Sequence, residues 1–199
     1  MPDSVASIRG RRLGLDADGR LVVLPNDDSG TPKLVGRLAY LNTAPSSTIT
    51  NTAAETAFDT SYSIPPNSLK AGSLVKIKYQ GIAPSTNATD TLTIRLRFGG
   101  LAGTVLLAGT ATDVANNNIF AGEFEVAIRT AGASGTMVGY GTHTEVPAAS
   151  GTAVHDITEV LPATTIDTTA ALVVNVTATW SVANAANQVR LDFMRVEIW

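Results

Sequence analysis

The sequence predicts an all-β chain: an antiparallel β-sandwich, jelly-roll-like, preceded by an extended N-terminal arm. Three observations carry that expectation. Apolar residues recur at a spacing of two across much of the chain, while the three-and-four spacing of an amphipathic helix is missing over any long window. Gly-, Ser- and Asn-rich turn signals punctuate these stretches every ~8–12 residues, the rhythm of a sandwich or jelly roll. Only 16% of the 199 residues are charged, and Thr, Ala, Gly, Asn and Ser fill the difference. That composition suits strands packed against neighbours.

The first 50 residues read as the arm. "RRLGLDADGRLVVL" is a hairpin turning at Asp16–Gly19. "PNDDSGTP" is a loop, "KLVGRLAYL" one more strand, and "NTAPSSTITNTA" a linker of small polar residues. The arm holds too few large apolar residues for a core of its own. It is expected to lie on its own domain, on a sister subunit or on another protein. Besides its basic residues Arg9, Arg11, Arg12 and Arg20, the arm carries Asp16, Asp18, Asp27 and Asp28. This is mixed charge rather than a basic tail, so the guanidinium groups are expected to dock carboxylates of a protein partner.

Residues 51–199 hold roughly eight strands. In Glu55–Ile64, Phe58, Tyr62 and Ile64 share a face opposite Asp59, Ser61 and Ser63. Pro65 and Pro66 lack amide hydrogens and end that strand. The loop Asn67–Gly72 then turns the chain, with Leu69 tucked beneath as a plug and Lys70 outside. In Ser73–Ile82, Val75, Ile77 and Tyr79 oppose Lys76, Lys78 and Gln80. Leu92, Ile94, Leu96 and Phe98 alternate with Thr93, Arg95 and Arg97, and Phe120, Phe124, Val126 and Ile128 with Glu123, Glu125 and Arg129. Strands follow at Thr136–Thr144, Ala153–Val160, Ala170–Trp180 and Gln188–Trp199. The last changes parity: Val189, Leu191 and Phe193 lie on one phase, Met194, Val196 and Ile198 on the other. A β-bulge near Phe193, or a strand covered on both faces, explains that slip. "FGGLAG", "TAGASG" and "PAASG" supply the turns.

Composition excludes several function classes. A net charge of −3 argues against a general nucleic-acid binder. The absence of cysteine rules out disulfides and thiolate metal sites. The N-terminus lacks the apolar core of a signal peptide, and no apolar run approaches the ~20 residues that span a bilayer, so a reducing cytosol and no membrane partner are expected. No GxSxG, HExxH or P-loop pattern occurs. The only histidines are His143 and His155. His155 and Asp156 are adjacent and point to opposite faces of a strand, and both histidines are expected at a surface or interface. Asp27-Asp28 and Glu123/Glu125 read as solvated carboxylates rather than a glycosidase pair. "DADG" and "NDDSG" read as turns rather than calcium loops. Trp180 and Trp199 are expected to close sandwich edges. No catalytic residue, metal or cofactor is expected.

The stretch from Asn51 to Trp199 resembles a β-sandwich module of virion proteins of tailed bacteriophages. The likeness rests on "NTAAETAFDTSYSIPPNSLKAGSLVKIKYQG", "TLTIRLRFGG", "GEFEVAIRTAGASGTMVGYGTH" and "ALVVNVTATWSVANAANQVRLDFMRVEIW". Family members show a strand ending in "TIP", a small N-x-L-K-x-G loop with a basic strand after it, an L-R-L-x-x-G-G hairpin, a T-G-A-S-G turn and a last strand of alternating apolar residues. The resemblance implies a non-enzymatic structural role, most simply a capsid decoration (cement) protein, homotrimeric and bound outside the major capsid protein shell. A tail, baseplate or fibre component with host-surface or glycan binding is the alternative within that class. A carbohydrate-active enzyme or its binding module is the alternative outside it.

Overall fold

The computed structural model describes residues 7–8, 11–15, 21–24, 37–87, 89–145 and 155–199, with side chains from residue 37 onward except 88 and 146–157. Among the described residues there are strands, turns and loops and no helix. The chain divides into two compact units, 1–37 with Trp199, and 38–198.

The first unit contains a three-stranded sheet of β1 (Ser7–Ile8), β2 (Arg11–Leu15) and β3 (Leu21–Leu24), in that order. β2 and β3 pair antiparallel from Leu15 opposite Leu21 to Arg12 opposite Leu24, the hairpin that the sequence predicts. Its turn, and the Asp27-Asp28 loop, lie outside the described residues.

In the second unit two antiparallel sheets enclose one core, the all-β sandwich expected from sequence. The smaller sheet has the order β10 (Thr112–Asp113), β8 (Thr91–Phe98), β14 (Leu172–Trp180), β6 (Thr56–Ile64), with β9 (Thr104–Ala108) also on β8. The larger has the order β13 (His155–Ile166), β12 (Gly135–Glu145), β11 (Asn118–Thr130), β7 (Leu74–Ser85), β15 (Gln188–Ile198), β4 (Arg37–Leu41), with β5 (Ile49–Thr50) also on β15. The chain passes between sheets from β5 to β6, β6 to β7, β7 to β8, β10 to β11, β13 to β14 and β14 to β15. The last two strands thus insert beside strands made much earlier. Residues 37–50, read from sequence as the end of the arm, supply β4 and β5 to the larger sheet.

Alternation decides which faces meet. Phe58, Ile64, Val75, Ile77, Ile94, Leu96, Phe124, Val126, Val174 and Val196 are all buried in the shared core. Glycines on the inner face of the larger sheet leave room for the rings. Phe120 lies over Gly81, Tyr79 over Gly122, and Phe124 over Gly139 and Gly141. A Cβ at Gly122 would stand 2.3 Å from the Tyr79 ring.

The parity slip in β15 is a bulge. Leu191 pairs with Gly81 and Phe193 with Gln80, so Asp192 is the extra residue and the inward phase moves to Met194 and Val196. Asn42 fills the gap. Its side-chain amide donates to the Asp192 carbonyl at 3.0 Å, and its carbonyl oxygen accepts the Met194 amide at 2.6 Å.

β6 stops at Ile64, immediately before Pro65, and Leu69 is buried while Lys70 is exposed. The loop is tied down by its backbone: the Asn67 amide donates to Thr168 and the Gly72 amide to Ile128, each at 2.8 Å. Asn67 and Gly72 both have positive φ, the conformation for which Asn and Gly are suited.

Candidate functional site

Strand register converts the outer face of the larger sheet into rows. One row runs Glu197, Lys76, Glu125, Tyr140, Val160 from β15 to β13, and the next Arg195, Lys78, Glu123, Thr142, Thr158. β15, β7 and β11 therefore carry charges of both signs, alternating along the first row, followed by aromatic, aliphatic and hydroxyl side chains toward β13. Lys76 Nζ lies 2.5 Å from Glu123 and 2.7 Å from Glu125, Lys78 bonds Glu123, and Arg195 lies 3.4 Å from Glu197. Partial burial opposes ionisation of Glu123, but hydrogen bonds from Lys76 and Lys78 outweigh it and hold the carboxyl below its usual range. The bonds that Lys76 donates to Glu123 and then Glu125 hold its ammonium above the usual lysine range. Glu123 and Glu125, expected as solvated carboxylates, are thus partly buried members of an ion-pair lattice.

A second ionic cluster sits on the outer face of the smaller sheet. Glu55 accepts two hydrogen bonds from Arg97, at 2.6 and 2.8 Å, and one from Thr177 at 2.6 Å, with Arg95 at 3.6 Å. The Arg97 bonds chiefly hold Glu55 below the ordinary carboxylate range. This fork–fork pair ties the entry to β6 onto β8 and β14.

The third cluster is inside the core. Tyr79 Oη and His143 Nδ1 are 2.9 Å apart, His143 Nε2 is 3.4 Å from Glu145 Oε2, and the Thr112 hydroxyl bonds Glu145 Oε1. Burial, and then the Glu145 charge, push the Tyr79 phenol upward, so it keeps its proton. A protonated hydroxyl can donate to or accept from a ring nitrogen, so the direction of the Tyr79–His143 bond follows the imidazole tautomer. His143 and Glu145 are both 0% exposed, which corrects the expectation of a surface histidine. The physical reason is the strand around it. Gly139, Gly141, His143 and Glu145 all share one face, and the glycines lend that face little hydrophobic signal although it is the inner one. A spacing of two between His143 and Glu145 was the available clue. This constellation resembles a catalytic one in composition, but solvent does not reach it; its bonds brace β7, β10 and β12.

The predicted docking arginines fall in the first unit. Arg11 and Arg12 belong to β2. Arg9, Arg20 and the side chains of Arg11 and Arg12 lie outside the described residues, as do the side chains of His155 and Asp156. Trp180 is buried at a strand end, as expected, whereas Trp199 is 39% exposed. Among the described residues no group of three or more His, Cys, Asp or Glu is placed to hold a metal ion, and no helix is long and apolar enough to cross a membrane.

Sequence reasoning did not single out an apolar groove on β12 and β13. Val138, Tyr140, Val160, Leu161 and Pro162 line it, with Arg129 at its margin, and its volume is about 490 Å³. Tyr140 and Val160 are opposite one another and 55% and 68% exposed.

No protein-family model matches the chain, and no curated protein matches it. Among solved structures, a chain in the structure of the Gx strain of infectious bursal disease virus aligns at 15% identity and a TM-score of 0.34. That alignment covers 94% of this chain and 38% of the other. A chain of the Gt strain aligns at 14% and 0.30, covering 94% and 39%. Lectin I-B4 from Griffonia simplicifolia, in its metal-free form, aligns at 9% and 0.31, covering 95% and 91%. The chain thus spans well under half of the viral chains it aligns with. Scores of this size carry no functional argument, which rests on the residues above.

Proposed function

We propose that the protein is a non-enzymatic structural component of a virion, and within that class a capsid decoration subunit bound to the outside of the major capsid shell. The observation that carries the reading is the outer face of the larger sheet. Three cations (Lys76, Lys78, Arg195) and three carboxylates (Glu123, Glu125, Glu197) are paired with one another there, and apolar and hydroxyl-bearing side chains follow toward β13, with Arg129 beside them. A charge-compensated sheet face is suited to docking against protein and offers no activated group to a substrate. The motif resemblance over Asn51–Trp199 points the same way. Copies gathered as a homotrimer on a symmetry axis, each burying on the order of 1,600 Å² against shell and neighbours, would be held tightly by summed contacts.

Electron microscopy of the particle that contains this chain tests the reading. Sandwich-shaped density on the outer shell is the expected result. Density confined to the tail, baseplate or fibre would favour the alternative placement, and absence from the particle would overturn both.

A further inference from the structure

The groove on β12 and β13 differs from the rest of its sheet in two respects. Tyr140, Val160 and Pro162 stand exposed side by side there, with Val138 and Leu161 half-buried between them, and a protein surface rarely leaves contiguous apolar side chains unused. Its margin also carries an unspent charge. Arg129 is exposed and has no carboxylate partner among the described residues, whereas Lys76, Lys78 and Arg195 on the same face are all paired.

We propose that this groove docks a segment of another protein that lays apolar side chains over Tyr140 and Val160 and places a carboxylate on Arg129. The chemistry of the surroundings selects that occupant. With its neighbours neutralised, Arg129 alone gives too little field for a polyphosphate or an anionic membrane. A sugar needs hydrogen-bonding groups along the groove, yet these sit at its rim, where Glu125 is already bonded to Lys76. The segment meets the face rather than the edge. At the edge, Pro162 and Ala163 bulge opposite Val138, and Glu159 is turned to the inner side across from Gly141. Such features bar strand addition. On the reading above the segment belongs to the shell; the groove itself rests only on its geometry.

The test uses the full chain and a fluorescein-labelled octapeptide of alternating Leu and Ser ending in Glu, followed by anisotropy. Saturable binding is expected, weakened at least tenfold by Val160→Asp. Arg129→Glu should weaken the Glu-ended peptide and strengthen the same peptide ending in Lys. Both sites are exposed, and unchanged thermal unfolding of each variant confirms that the fold is kept. Absence of saturation up to millimolar peptide, or binding indifferent to Val160→Asp, overturns the proposal. So does self-association, or binding to phosphatidylglycerol vesicles, that Val160→Asp abolishes, since the occupant is then a second copy or a lipid. Shell binding unaffected by Val160→Asp removes the groove and leaves the virion reading. Peptide binding without shell binding does the reverse.

Discussion

At the scale of single residues, the most consequential side chains are those whose neighbours leave no alternative. Leu69 is 1% exposed beneath the proline-ended loop. An Asp there would place a carboxylate in the core with no cation to meet it. Leu69→Asp should lower stability by about 3 kcal/mol or more, read as a fall in the chemical-denaturation midpoint; an unchanged midpoint would refute the plug. Gly122 is a subtler case, because its lack of a side chain lets Tyr79 reach His143 across β11. Gly122→Ala should displace the Tyr79 ring and cost about 1–3 kcal/mol, the scale of overpacking. A tyrosine absorption or near-UV dichroism signal unchanged from the parent would contradict that displacement. Neither glycine nor histidine advertises this in sequence. On the strand from Gly135 to Glu145, polar Thr residues occupy the outward phase and glycines much of the inward one, so hydropathy does not tell the two faces apart.

At the scale of elements, strands were legible where one phase was apolar and the other polar. β6, β7, β8 and β11 are of that kind, and the residues predicted to face inward are buried, save Tyr62 of β6, which is half-buried. β9 was not, because Leu106 and Leu107 are consecutive and both buried, next to an irregularity opposite Leu96 and Arg97. The bulge in β15 was legible as a change of parity, but the residue that stabilises it was not: Asn42 is remote in sequence and sits in what reads as a linker. Asn42→Ala should cost about 1–2 kcal/mol through unpaired groups at the bulge. Deletion of Asp192 should be milder than deletion of Arg195, since the first restores simple alternation and the second turns Val196 outward. Comparison of the two deletions by thermal melting checks this, and equal damage would argue against the bulge. The Glu55–Arg97 pair adds a pH dependence. Glu55 titrates below its ordinary value of 4.5 when folded, so its contribution is present above that value and is lost as pH falls through the lower, folded one. Stability should therefore decline with acidification below about pH 4.5, and Glu55→Gln should flatten the decline. An identical acid profile in that variant would show the pair to be without effect.

At the scale of the whole molecule, composition and periodicity foretold an all-β sandwich because alternation and turn chemistry are local. They did not reveal where the sandwich begins, because β4 and β5 are short and earn their places only by pairing with the last strand, β15. This difference decides how an arm deletion must be made. Every buried apolar residue of the described core lies at Ile49 or later, and Asn42 and Ser46 bond the backbone of β15. A fragment starting at Leu38 keeps all of these groups, whereas one starting at Asn51 loses Ile49 and leaves the Leu191 and Met194 amides without their side-chain acceptors. The first fragment should unfold cooperatively within a few degrees of the full chain; the second should melt lower by about 5 °C or more, the shift expected from losing two hydrogen bonds and a buried Ile. If docking by Arg9, Arg11, Arg12 and Arg20 supplies shell affinity, the Leu38 fragment will be folded yet bind undecorated shells more weakly. Undiminished shell binding by that folded fragment would remove the arm from the docking surface and leave the outer face of the larger sheet to carry it.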